Sequence, residues 1–187
     1  MRCVAFLRAV NVGGRTVKMA ALAQHFEALG LREVETFIAS GNVIFRTQSR
    51  TTAALAAKIA DGLKPLLGFR AEAFVRTEPE VQTLAARAAA TQAVHRAAVG
   101  PQGEVNVALT TLPLTAAQAT ALAGLRTPLD RFEHNGTEVY WLCGSKQSDS
   151  SFSNAVFERR LGIRTTIRRA SMLERLAAHL RGEPAGR

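Results

Sequence analysis

Arg8, Asn11, Gly13 and Gly14 stand in one stretch, Leu7-Arg8-Ala9-Val10-Asn11-Val12-Gly13-Gly14, which leads out of an apolar first strand toward a helix start at Lys18. A guanidinium, an amide and paired glycines ahead of a helix let the backbone close on a ligand. The chemistry they favour is anion binding. Arg8 and Lys18 supply charge, the helix start supplies unpaired N–H groups, and Asn11 supplies directed hydrogen bonds. A second trio, Ser40-Gly41-Asn42, adds a hydroxyl and another amide between two short strand-like runs. Taken singly, each stretch also serves a plain chain reversal. Neither carries the dinucleotide fingerprint or the phosphate loop ending in Lys-Ser/Thr, so no cofactor is expected.

The elements that must position these residues follow from period and punctuation. Arg2–Arg8 reads as a strand and Met19, Leu22, Phe26 and Leu29 as a helix closed by Gly30. Val34–Ile38 and Val43–Arg46 form a hairpin, Leu55, Ile59, Leu63 and Leu66 a helix disturbed by Pro65, and Phe69–Arg76 a strand. A connecting helix starts at Pro79, and Gly100-Pro101-Gln102-Gly103 is a loop. The order then repeats. Val105–Leu109 is a strand, Thr115 and Gln118 box the start of a short helix, and Asn135-Gly136 joins strands Arg131–His134 and Thr137–Leu142. Ser151–Leu161 reads as a helix ended by Gly162, Arg164–Arg168 as a short strand, and Ser171 with Glu174 as the cap of a last helix.

Two β-α-β-β-α-β runs predict an α+β fold of two ferredoxin-like subdomains with mainly antiparallel sheets. The expected boundaries are 1–77 for the first, 78–103 for the linking helix and loop, 104–182 for the second, and 183–187 for a frayed tail. In such a unit the third strand runs antiparallel between the first two. The end of strand one then meets the hairpin turn at one sheet edge, gathering Arg8, Asn11, Gly13, Gly14, Lys18, Ser40, Gly41 and Asn42. A second polar group, Lys146, Ser153, Asn154, Glu158, Thr165, Thr166 and Arg168, belongs to the second unit, where a solvated helix face and local backbone hydrogen bonding are the plainer readings.

Composition bounds the partners. With 187 residues, 47% of them hydrophobic, the chain can bury a core. No apolar run has membrane-spanning length, so no membrane partner is expected and a soluble, cytoplasmic protein is the default. The two cysteines lack disulfide or metal spacing and read as buried reduced thiols. No histidine pairs locally with a nucleophile: His25 and His179 fall on helices, His95 in a loopward segment and His134 at a hairpin tip. The net charge of +9 comes from 24 basic residues, 20 of them Arg, against 15 acidic ones. Residues 155–187 carry +5 of it, which makes Arg159, Arg160, Arg164, Arg168, Arg169 and Arg175 the basis of an alternative reading as a nucleic-acid binder. An open RNA platform is disfavoured, since strand one is apolar on both faces and each central strand supplies one aromatic, Phe6 and Phe45. Covered sheets point instead to packing of the subdomains or to a homodimer, as in an assembly subunit.

Leu-Arg-Ala-Val-Asn-Val-Gly-Gly, Lys18-Met19, Ala39-Ser40-Gly41-Asn42-Val43-Ile44-Phe45, Ser153-Asn154 with Glu158, Leu161-Gly162, and Thr165-Thr166 with Arg168 together resemble the bacterial family called domain of unknown function 1697. The resemblance implies two ferredoxin-like subdomains and carries no activity with it. Ala9 stands where that family usually has Gly, Ala39 where it has Gln, and Arg169 where Asn follows the Arg.

Overall fold

The computed structural model describes residues 1–10, 17–38 and 41–183, in two compact units, Met1–Val81 and Gln82–Arg187. In the first unit the elements run β1 (Arg2–Leu7), α1 (Met19–Ala28), β2 (Arg32–Phe37), β3 (Asn42–Arg46), α2 (Thr52–Gly62), α3 (Lys64–Leu67) and β4 (Ala73–Thr77). The sheet order is β2-β3-β1-β4, antiparallel throughout. Register pairs Phe6 with Asn42 and Phe37 with Asn42, so β1 ends beside the β2–β3 turn as the topology requires.

Alternation along β1 explains why its sequence is apolar on both faces. Cys3, Ala5 and Leu7 join Val43, Phe45 and Val75 under α1 and α2, which contribute Leu22, Phe26, Leu55 and Ile59. Phe26 and Phe45 meet with ring centroids 5.7 Å apart and planes inclined by 58°, a tilted geometry that avoids the face-to-face sandwich their quadrupoles disfavour. Val4, Phe6, Ile44 and Phe74 alternate onto the opposite face and are equally buried. Each such side chain adds about 1.5–3 kcal/mol of apolar burial. Phe6 and Phe45 are both fully enclosed, which leaves neither displayed for base stacking.

α4 (Glu78–Val99) leads to the second set: β5 (Glu104–Leu109), α5 (Ala116–Ala123), β6 (Asp130–Asn135), β7 (Glu138–Cys143), a single 3-10 turn at Gln147–Asp149, α6 (Asn154–Leu161), β8 (Thr166–Arg169) and α7 (Ala170–Leu180). Its sheet, β6-β7-β5-β8, repeats the first topology. Trp141, Val139 and Ala108 pack under α5 and α6 with Phe152, Phe157 and Leu161, while α7 lies on β5 and β8. The fold is α+β with two four-stranded antiparallel sheets.

Several local expectations change. Pro65 does more than disturb the second helix: the helix breaks at Leu63, and Pro65 opens the short α3. The strand expected from Phe69 begins only at Ala73. α6 starts at Asn154 because Ser153 is its cap, its Oγ accepting from Val156 N at 3.3 Å. His95 is helical, within α4, and 5% exposed, with Nε2 2.7 Å from the Cys143 carbonyl. His134 lies within β6. Ser171 and Glu174 form no cap. β8 passes straight into α7, Arg169 takes the cap position without a side-chain bond, and Ser171 is already inside the first turn. The Thr115–Gln118 box is present in full. Most of the expected tail, residues 184–187, lies outside the described residues.

Candidate functional site

At the N-terminal edge the backbone joins the two polar motifs. Leu7 N donates to Gly41 O at 2.8 Å, and Arg8 N donates to Glu72 O at 2.9 Å. Gly41 holds φ of +73°, and a Cβ there would lie 3.3 Å from Leu7 Cβ and 3.5 Å from Leu7 O. The turn is therefore pressed against the end of β1, at a conformation that suits glycine. Asn42 is fully buried, with Nδ2 donating to Phe37 O at 3.1 Å, so it braces the turn from within. Arg8 is half-buried and Lys18 exposed. Lys18 occupies the cap position of α1 in extended conformation and provides no side-chain cap for the first amides of the helix. Asn11, Gly13, Gly14 and Ser40 lie outside the described residues.

The second polar group resolves into separate parts. Asn154 Nδ2 donates to Glu158 Oε1 and to Thr165 O, each at 3.3 Å, and its Oδ1 accepts a short bond from Thr165 Oγ1. Thr165 N donates to Glu158 Oε1 at 2.8 Å. Asn154, Glu158 and Thr165 thus clamp α6 to the chain entering β8, and Ser153 caps the helix beside them. Arg164 Nη1 reaches Glu158 Oε2 at 3.8 Å. Arg168 points to the other side of the sheet: it pairs across from Val107, whereas Ile167 pairs with Ala108 of the Trp141 core. Its Nη1 donates to Thr166 Oγ1 at 2.7 Å and to Ile167 O at 2.9 Å, and burial pulls the guanidinium down to about 10. At neutral pH it remains a cation. Lys146 is exposed before the 3-10 turn, and its carbonyl accepts from Ser145 Oγ at 3.4 Å.

The six arginines of the nucleic-acid reading are divided as well. Arg168 is 9% exposed, Arg169 lies 3.6 Å from Glu104, and Arg159, Arg160 and Arg175 face solvent. They do not form one uniform exposed stripe.

A polar centre that local spacing does not reveal lies in the second unit. Asp130, 1% exposed, accepts from Trp141 Nε1 at 2.7 Å, from Thr127 Oγ1 at 2.8 Å, and from Ser150 Oγ at 2.9 Å to both carboxylate oxygens. Its donors come from β7 and from segments before β6 and after the 3-10 turn. Only the pairing of β6 with β7 in space gathers them.

Nucleophilic chemistry has little to work with in the thiols. Cys3 and Cys143 are fully buried, and burial is the main cause pushing both thiols up. Reactivity needs thiolate and access, and both are suppressed. We expect no fast-reacting thiol with an aromatic disulfide reagent at pH 8 in native buffer, and both after unfolding. Modification of either cysteine within seconds in the native protein would contradict this. Among the described residues no group of three His, Cys, Asp or Glu side chains could hold a metal ion, and no helix is long and apolar enough to cross a membrane.

Comparison with known proteins adds a fold and a family. No curated protein matches the chain. Among solved structures it is similar to the conserved bacterial protein SP0830 from Streptococcus pneumoniae, with 21% sequence identity and a TM-score of 0.69 over 96% of this chain and 98% of that one. At that identity the likeness speaks for the fold alone. The family described as "Protein of unknown function (DUF1697)" matches residues 1–140, well over half the length, and the chain belongs to that family.

Proposed function

We propose that the chain binds a small anionic molecule, bearing phosphate or carboxylate, at the edge of the N-terminal sheet where β1 ends. The observation that carries this reading is the Leu7 N to Gly41 O hydrogen bond of 2.8 Å, which makes neighbours of the Arg8 stretch and the Gly41–Asn42 turn. Arg8 and Lys18 supply the charge, and the start of α1, where Lys18 makes no side-chain capping bond, adds amide donors whose dipole favours an anion. Asn42, Gly41 and Leu7 hold the turn in place. Asn11, Gly13, Gly14 and Ser40 complete the reading as backbone and side-chain donors. The polar clamp of Asn154, Glu158 and Thr165 spends its donors and acceptors internally, which leaves the first unit as the better location.

The test is a titration with inorganic phosphate followed by amide resonances in the nuclear magnetic resonance spectrum. Leu7, Arg8, Lys18 and Gly41 should shift saturably. In the Arg8→Ala/Lys18→Ala variant affinity should fall at least about tenfold, the equivalent of one or two charge-assisted contacts. The melting temperature should move by no more than about 2 °C, as for surface substitutions. A large loss of stability with unchanged affinity would assign the two side chains a structural role.

A further inference from the structure

The opposite end of the N-terminal unit holds a cavity of about 560 Å³. That volume lies within the usual range for small-molecule sites. Its wall comes from the start of β2, the end of β3 and the first turns of α2. Four charged side chains line it, Arg32, Arg46, Lys58 and Glu33, an excess of two positive charges. The single carboxylate is already engaged: Arg46 Nε donates to Glu33 Oε2 at 2.6 Å. Among the described residues the side chains of Arg32 and Lys58 have no ion pair or hydrogen bond.

The register makes this concentration of charge unusual. Arg32 and Arg46 are direct cross-strand partners, a like-charge pairing that works against the sheet. The strand is irregular between Arg32 and Glu35, and Glu33 holds φ of +48° there, in the left-handed region. On α2, Lys58 also lines the cavity and follows Ala54 by one helical turn, on the same face, where a side chain leans back toward the helix start. α2 has eleven residues, and Thr51 at its cap position makes no side-chain capping bond. Gln48 and Ser49 add polar groups to the lining, and Leu31 and Leu55 add apolar surface. Cations from the strands and from α2, amides without a side-chain cap and an apolar lining suit a phosphate group attached to a compact organic body.

We propose that this cavity is a second, separate binding site, for a phosphate-bearing small molecule held between Arg32 and Arg46 on the strands and Lys58 on α2. It does not depend on the sheet-edge site, which uses other residues at the other end of β1.

Inorganic pyrophosphate, titrated calorimetrically into the full chain at constant ionic strength, is the probe. Three proteins are compared: the unaltered chain, Arg32→Ala/Lys58→Ala, and Arg8→Ala/Lys18→Ala. All four replaced side chains are exposed or half-buried, and equal melting temperatures check that the folds are intact. The expected result is saturable binding that weakens at least tenfold in Arg32→Ala/Lys58→Ala and persists in Arg8→Ala/Lys18→Ala, with amide shifts at Arg32, Ser49, Ala54 and Lys58. Binding that survives Arg32→Ala/Lys58→Ala overturns the proposal, whether or not the sheet-edge variant loses it. Absence of saturable pyrophosphate binding to the unaltered chain overturns it too. So does a single-stranded oligonucleotide that binds more tightly than pyrophosphate through these same residues, since the surface would then be a nucleic-acid contact.

Discussion

Asp130→Ala is expected to destabilise the C-terminal unit by about 3–5 kcal/mol, the range for breaking a buried charged hydrogen-bond centre. The carboxylate accepts from Trp141 Nε1, Thr127 Oγ1 and Ser150 Oγ at 2.7–2.9 Å and is 1% exposed. Alanine leaves the indole N–H enclosed with no acceptor, and a buried donor without a partner costs about 1–3 kcal/mol by itself. It also frees two segments. Thr127 Oγ1 accepts from Leu129 N and Asp130 N, and Ser150 Oγ accepts from Phe152 N at 2.9 Å, so both turns are aimed at this carboxylate. Phe152 meets Trp141 edge-on, with centroids 4.9 Å apart and planes inclined by 63°, and a loosened Ser150 would disturb that contact. Asp130→Asn retains an acceptor for Trp141 and should cost clearly less. Trp141 is the one tryptophan, so its fluorescence through a urea transition reports the site directly. The melting temperature should fall by about 10 °C, given about 2–4 °C per kcal/mol at this size. A loss below about 1 kcal/mol would mean that the centre contributes little net stability.

How far such features can be read from sequence depends on how locally they are determined. Thr115 and Gln118 form their capping box because both partners lie within one turn and nothing distant competes. Ser171 and Glu174 have the same spacing and form none, since the preceding strand fixes where α7 starts. The adjacency of Leu7 and Gly41 is legible from topology alone: two antiparallel pairings around β3 bring the end of β1 to the β2–β3 turn. His95 is misplaced because α4 is rich in alanine and has little apolar periodicity to mark how far it runs. Asp130 is invisible for a different reason. Its partner Ser150 is 20 residues away, and the polar types involved are those of ordinary turns. The cavity between Arg32, Arg46 and Lys58 depends on a cross-strand register and an irregularity at Glu33, neither of which the order of residues discloses.

The Asn154 clamp is where a structural and a ligand-binding role predict opposite results. Asn154→Ala is expected to cost about 2–3 kcal/mol, because the Thr165 hydroxyl and carbonyl lose their partner in a residue that is fully buried. A side chain reserved for a ligand would leave the stability of the free protein unchanged. Asn154→Asp separates the roles of the amide oxygen and the amide nitrogen further. It keeps an acceptor for Thr165 Oγ1 but replaces the Nδ2 donor, which stands 3.3 Å from both Glu158 Oε1 and Thr165 O, with carboxyl oxygen. Two carboxylates at that distance disfavour joint ionisation, so the introduced carboxyl keeps its proton to higher pH in the folded state than in the unfolded one. Such a raised group supports the fold below its unfolded pKa and loses that support as pH rises through the folded value. Relative to the unaltered chain, Asn154→Asp should therefore be nearly tolerated at pH 4 and clearly destabilised at pH 7, the reverse of ordinary acid denaturation. Urea midpoints measured at both pH values give the answer. A penalty that is equal at the two, or larger at pH 4, would show that the amide does not donate to Glu158 and that α6 is held to β8 by other contacts.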